Sequence, residues 1–211
     1  MDDVNLYDKN YHMNRSFYPS IKSFANQCEG RVLDVGCGNK PYREYFSIDE
    51  YIGIDVISDR EPDILADGLN LPFASESFDH VVSFQVLEHV PNPFTFFEEI
   101  SRVLREDGHA FVSTNQMFNL HMKPNDYFRF TRFGLKELVK KTELRCQEFA
   151  EVGNIPVRLC CKINDLYEYI LPKKIIPLLR IITNILFSPI IKYDTHEDYI
   201  IVSVVLKKSD F

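Results

Sequence analysis

From Arg31 onward, short apolar runs alternate with stretches of helical spacing. RVLDV (31–35), YIGIDV (51–56), DILA (63–66), HVVSF (80–84, fed by Phe78 and Asp79) and HAFVS (109–113) are predicted strands. Between the last two, Phe94, Phe97, Ile100, Val103 and Leu104 recur at helical spacing over 93–104. Thr131 caps a further predicted helix carrying Leu135, Leu138 and Val139. Residues 145–149 read as a sixth strand, and the β-branched run YIIVSVVL (199–206) as the strand that closes the domain. Strands alternating with helices at this pitch call for an α/β fold, a mostly parallel sheet covered on both faces.

Two segments depart from the rhythm. Residues 1–29 are polar with scattered aromatics and a predicted helix over 19–27, and Tyr7, Tyr11, Arg15 and Tyr18 there serve either as a lid or as surface packing. Residues 155–193 form an apolar helical insertion between the core (30–150) and the closing strand (198–207). In the insertion Ile175, Leu178, Leu179, Ile182, Ile185 and Leu186 share one helical face, and Arg180, Asn184 and Ser188 the other. Its run of 17 residues with a central Arg and two prolines is too short and too interrupted to span a bilayer. Three roles stay open for it: a lid over the site, a dimer surface, or a peripheral membrane contact through 170–191.

Composition narrows the class. With 211 residues, 26% charged and 45% apolar, the chain is one ordinary globular domain. Its formal charge of −7 argues against nucleic acid as a partner, which needs clustered Lys and Arg. Five cysteines without a CxxC pair read as reduced thiols, so neither a disulfide framework nor a metal site is expected. The polar start MDDVNLYDKNYHM does not read as a signal peptide, so the expected location is cytoplasmic, membrane-associated if the insertion lies on lipid.

The chemistry begins at Val32-Leu-Asp34-Val-Gly36-Cys37-Gly38, a strand running into a Gly-x-Gly turn where backbone and ligand can approach closely. A dinucleotide site needs a third glycine and a pyrophosphate on the helix end. Here Pro41 takes the later position, and the Asp34 carboxylate would repel phosphate but suit an ammonium group. Asp55 ends the second strand, where an acid can accept from ribose hydroxyls, and Asp67 follows the third, where it can accept from an adenine amine. Each acid alone is as readily a solvated strand end or a cap. Three at successive strand ends describe an adenosine carrying a cationic amino acid.

VLDVGCGNKPY (32–42), IGID (52–55), ADGLNLPFASESFDHVVSFQVLEHVPNP (66–93) and FEEISRVLREDGHAFVSTN (97–115) together resemble the small, single-domain class I S-adenosylmethionine-dependent methyltransferases. The resemblance implies a Rossmann-like seven-stranded sheet, mostly parallel with helices on both faces, whose last strand is antiparallel. It implies S-adenosylmethionine as cofactor and S-adenosylhomocysteine as product. Asp34 and Gly36, Cys37 and Gly38 would face the methionine portion, Asp55 with Val56 the ribose, and Asp67 with Gly68 and Leu69 the adenine; Phe84 and Gln85 would lie near the sulfonium. No Asn-Pro-Pro-Tyr motif follows the fourth strand, which speaks against amino methylation of bases or glutamine, and no Pro-Cys pair suggests covalent pyrimidine methylation. The segment HMKPNDYFRFTRFGL (121–135) resembles a subgroup often associated with surface glycan and secondary biosynthesis.

Methyl transfer is an in-line displacement helped by orientation, exclusion of water and removal of the acceptor's proton. His89, just past the fourth strand, and His121, in the irregular connection, are the candidate catalytic groups; hydrogen-bonded packing and a surface position are their bland alternatives. Asn115, Tyr127 and Arg129 are candidate acceptor contacts, with Arg129 either forking onto an acceptor anion or pairing with Asp126. The expected function is methylation, with oxygen favoured, of a small molecule or a glycan- or lipid-linked intermediate. Two alternatives are a catalytically silent module that only holds the cofactor, and a nicotinamide oxidoreductase, which Asp34 and Pro41 disfavour.

Overall fold

The computed structural model describes residues 4–192 and 199–209. Seven strands form one sheet: β1 (Arg31–Val35), β2 (Glu50–Asp55), β3 (Ile64–Leu65), β4 (Phe78–Phe84), β5 (Leu104–Asn115), β6 (Leu144–Val152) and β7 (Ile201–Lys208). Their order is β3-β2-β1-β4-β5-β7-β6. The pairs β2–β3, β1–β2, β1–β4 and β4–β5 are parallel, and β7 is antiparallel. The helices are α1 (Tyr11–Ala25), α2 (Pro93–Val103), α3 (Arg132–Val139), α4 (Ile155–Ile170) and α5 (Ile176–Phe187). The Rossmann-like class is as the sequence implies, and residue contacts divide the chain into two units.

The larger unit, Ile21–Ala150 with the residues from Val202 on, holds the sheet's parallel half. Leu33 and Val35 of β1, Val81 of β4 and Ala110 and Val112 of β5 project into a core shared with Phe96, Phe97 and Ile100 of α2 and Leu135 and Leu138 of α3. Alternation sends the other residues to the opposite face, where Phe24 meets Phe111 at 5.4 Å between ring centroids. Asn92 caps α2 by accepting from the Thr95 N–H, with Pro93 in the first turn, and Thr131 caps α3 through the Gly134 N–H at 3.2 Å. Because β1 lies between β2 and β4, the chain reverses direction across the sheet at the β1–β4 boundary, and the C-terminal tips of β1–β5 share one edge. That edge is where open α/β sheets bind ligands.

The smaller unit comprises residues up to Ser20 and Glu151–Ile201. It corrects one expectation and decides a point the sequence left open. Its N-terminal helix starts eight residues earlier than the predicted one and runs through Pro19, since the proline forfeits one main-chain hydrogen bond without ending the helix. In α5 the apolar face points outward: Leu178 and Leu186 are 61% and 67% exposed, whereas Asn184 is wholly buried. Asn184 donates to the carbonyls of Leu6 (2.7 Å) and Asp8 (3.1 Å) and accepts from Asn164 Nδ2 (3.1 Å) and Cys160 Sγ (3.2 Å). Its own carbonyl lies 2.8 Å from His12 Nε2. A buried amide network centred on Asn184 holds this unit together, with only Asn164 Oδ1 left without a partner in it, so the polar stripe of α5 is its inside. Among the described residues no helix is long and apolar enough to cross a membrane.

Candidate functional site

The glycine turn after β1 forms because nothing but hydrogen fits. Gly36 has φ +77°, and a Cβ there would stand 2.3 Å from Val86 Cγ2. Its N–H and that of Cys37 both donate to the Ile54 carbonyl, at 2.8 and 2.9 Å, folding the turn back over β2. Asp55, at the tip of β2, completes the fold-back: its Oδ2 accepts from the Gly38 N–H at 3.0 Å and its Oδ1 from the Ile57 N–H at 2.9 Å. Arg60 Nη1 approaches the same carboxylate at 3.8 Å. Past β3, Asp67 Oδ1 accepts from the Leu69 N–H at 2.9 Å. Gly68 keeps the chain close to Phe96 and Val35, since a Cβ there would meet them at 2.9 and 3.0 Å.

These tips surround a cavity of about 370 Å³ whose walls include Gly36, Asp55, Val56, Asp67, Gly68, Leu69, Phe84, Gln85, His89 and Tyr127. A second cavity touches Gly36, Cys37, Gly38, Tyr42, Phe84 and Gln85. Every candidate cofactor residue thus lines one or both, apart from Asp34. Asp34 lies inside β1, paired across to Gly53 and Val82, and is buried. Its Oδ2 accepts from the Tyr51 hydroxyl at 2.6 Å, while Oδ1 has no partner. Burial pushes this carboxyl up to about 7, assisted by the nearby Asp55 and opposed by the Tyr51 hydrogen bond. A half-satisfied carboxyl behind a glycine turn is the residue a cation in the crevice would stabilise. Burial also pushes the Cys37 thiol up to about 12, which leaves it a wall and not a nucleophile.

The tip of β4 carries backbone strain at the point where the cavities meet. Gln85 has φ +57°, fixed by its N–H to the Ser113 carbonyl at 3.0 Å and its Nε2 to Ser113 Oγ at 3.1 Å. The following single turn, Leu87–His89, turns Glu88 inward and His89 toward the cavity. Glu88 is fully buried and accepts from Thr114 Oγ1 at 2.8 Å and from Asn115 Nδ2. His121 meets His89, Nε2 to Nε2, at 3.0 Å. The two candidate histidines are thus brought together from positions 32 residues apart.

The candidate acceptor contacts divide. Tyr127 lines the larger cavity, its hydroxyl donating to Asn125 Oδ1 at 3.0 Å. Asn115 holds Glu88 and lines neither cavity. Of the two roles left open for Arg129, the structure displays the pairing: its guanidinium forks onto Asp126 at 2.6 and 2.8 Å and also reaches the Phe118 and Asn119 carbonyls. Arg129 in turn holds the Asp126 carboxyl well below the usual carboxylate range. Sequence reasoning passed over Glu88, Arg60 and Asn125. Glu88 alone left a trace, an acid beside a histidine just beyond a strand tip.

Residues 33–112 match the family model described as a methyltransferase domain. An uncharacterised protein of Methanocaldococcus jannaschii is 26% identical over 72% of this chain and 87% of its own length. The ubiquinone biosynthesis O-methyltransferase of Photobacterium profundum is 28% identical over 52% of each chain, so the match spans about half of that relative. Among solved structures, phosphoethanolamine N-methyltransferase 2 of Haemonchus contortus in complex with S-adenosyl-L-methionine superposes with a TM-score of 0.60 at 14% identity, covering 99% of this chain and 59% of the other.

Proposed function

We propose that this chain, a class I S-adenosylmethionine-dependent methyltransferase by its fold and its family match, methylates a hydroxyl of a small molecule or of a glycan- or lipid-linked intermediate. One observation carries the reading: Asp55, Asp67 and His89 stand on the walls of a single cavity, with the glycine turn between them. The bound cofactor supplies a methyl group on a sulfonium, a good leaving group that needs orientation more than activation. Asp55 holds ribose hydroxyls, with Val56 beside it, and Asp67 with Gly68 and Leu69 receives the adenine. Gly36, Cys37 and Gly38 admit the amino-acid portion, and Asp34 favours its ammonium through the field at the turn. Phe84 and Gln85 close the cavity around the reacting centre and limit water.

His89, on the cavity wall, and His121, paired with it at 3.0 Å, act on the acceptor, and Tyr127 contacts it. Oxygen as the methylated atom is supported by the O-methyltransferase relative named above, and glycan-linked chemistry by the subgroup that 121–135 resembles. Lipid-linked acceptors also suit the outward apolar face of α5, which we read as the surface for peripheral membrane contact or pairing through 170–191. The test is incubation of purified protein with methyl-labelled S-adenosylmethionine and a panel of quinols, free sugars and polyprenyl-linked sugars. Label in an ether product supports the reading. Saturable cofactor binding with no transfer to any acceptor class supports a silent module instead.

A further inference from the structure

The two paired histidines meet in a geometry that limits what can lie between them. His89 Nδ1 lies 2.5 Å from the Asn125 carbonyl oxygen. His121 Nδ1 lies 3.0 Å from the Asn119 carbonyl and 3.4 Å from Asp126 Oδ2. Oxygens of these kinds only accept, so in each ring the proton sits on Nδ1. The remaining nitrogens of the two rings, both Nε2, then face each other across 3.0 Å with no hydrogen of their own between them. Such an arrangement repels unless something positive lies between. A third donor completes the set: Glu88 Oε1 is 3.9 Å from His121 Nε2, and the three ligand atoms lie within 4.8 Å of one another.

We propose that Glu88, His89 and His121 form a divalent transition-metal site beside the cavity, reached through His89. Two imidazoles and one carboxylate, with further positions open, are donors for a first-row ion such as zinc, manganese or iron(II). With metal–nitrogen bonds of about 2.0–2.1 Å, two nitrogens 3.0 Å apart subtend an angle of roughly 90–95°. The surroundings supply what metal ligands need. Each histidine is oriented by a carbonyl on its second nitrogen, and the Glu88 carboxylate is fixed by Thr114 and Asn115. His89, Asn125 and Tyr127 all line the cavity, so a metal held here would stand beside the space an acceptor could occupy.

The role of the metal rests on the proposed methyl transfer; its binding does not. An acceptor hydroxyl beside the cation gives its proton to solvent more readily. Its oxygen then bonds to the methyl carbon as the carbon–sulfur bond breaks and leaves the electron pair on a neutral sulfur. The experiment is titration of the untagged, chelator-stripped full chain with cobalt(II), followed by visible spectroscopy and competition with zinc(II). The expected result is one equivalent bound, with d–d bands that zinc displaces, and an affinity at least 10-fold weaker in His121→Gln and in His89→Gln. Circular dichroism and S-adenosylmethionine calorimetry verify that each variant is folded. Folded wild-type chain that shows no bands at one equivalent overturns the site, as does equal binding by the His89→Gln/His121→Gln double variant; a proton shared by the two rings is then what separates them. Chain that binds S-adenosylmethionine but no metal overturns this site alone, and chain that binds metal but no S-adenosylmethionine overturns only the function.

Discussion

Replacing Asp34 with Asn is expected to stabilise the unliganded protein while weakening its hold on the cofactor. A carboxyl moved from 3.8 to about 7 disfavours its charged form by about 4 kcal/mol. The folded value lies above the unfolded one, so the stabilising contribution is complete below about pH 4 and is lost as pH rises to 7. Asn keeps an acceptor for the Tyr51 hydroxyl but adds an amide that must find its own partner, a cost of about 1–3 kcal/mol. The net gain at pH 8 is therefore about 1–3 kcal/mol, which for a chain of this size raises Tm by roughly 2–12 °C. At pH 4 the folded carboxyl is already neutral, so only the amide's cost of about 1–3 kcal/mol remains and the sign reverses. Cofactor affinity moves the opposite way. A charge pair about 8 Å apart at an effective dielectric of about 20 is worth about 2 kcal/mol, so Asp34→Asn should bind S-adenosylmethionine roughly 30-fold more weakly at pH 8. Thermal melts at pH 4, 6 and 8 and calorimetry at pH 8 are the assays. A variant less stable than wild type at pH 8, or one whose stability offset ignores pH, would refute the reasoning.

Other consequences follow from neighbouring features. Gly36→Ala should cost about 1–3 kcal/mol through its positive φ and its collision with Val86, and should abolish cofactor binding. Adding Val86→Ala should recover part of the stability; no recovery would mean that the collision is not the cause. The outward face of α5, with Lys173 and Lys174 at its entry, should carry the protein onto anionic vesicles in flotation assays. Ile185→Asp with Leu186→Asp should release it, and unchanged flotation would assign lipid contact elsewhere.

The core was readable because buried parallel strands are written as unbroken apolar runs, and the acids and glycines at their tips interrupt those runs at fixed places. Asp55 and Asp67 stand where that logic puts them. Asp34 shows its limit: position in the strand was evident, but burial against Tyr51 depends on a partner 17 residues away. The pairing of His89 with His121 was equally out of reach, since it depends on how the irregular segment after β5 returns to the β4 tip. For α5, helical periodicity identified two faces correctly and could not say which was inside. That was decided by Asn184, whose partners come from the N-terminal segment and α4.

The chemistry proposed for this chain requires that its crevice hold a nucleoside carrying a positive charge. Calorimetric titration of the full chain with S-adenosylmethionine at pH 8 tests it most directly, with Asp55→Asn and NAD titrations alongside. Saturable binding of one equivalent is expected, at least 10-fold weaker when Asp55 loses its charge, with no heat from NAD. Saturable NAD binding with none for S-adenosylmethionine would contradict it.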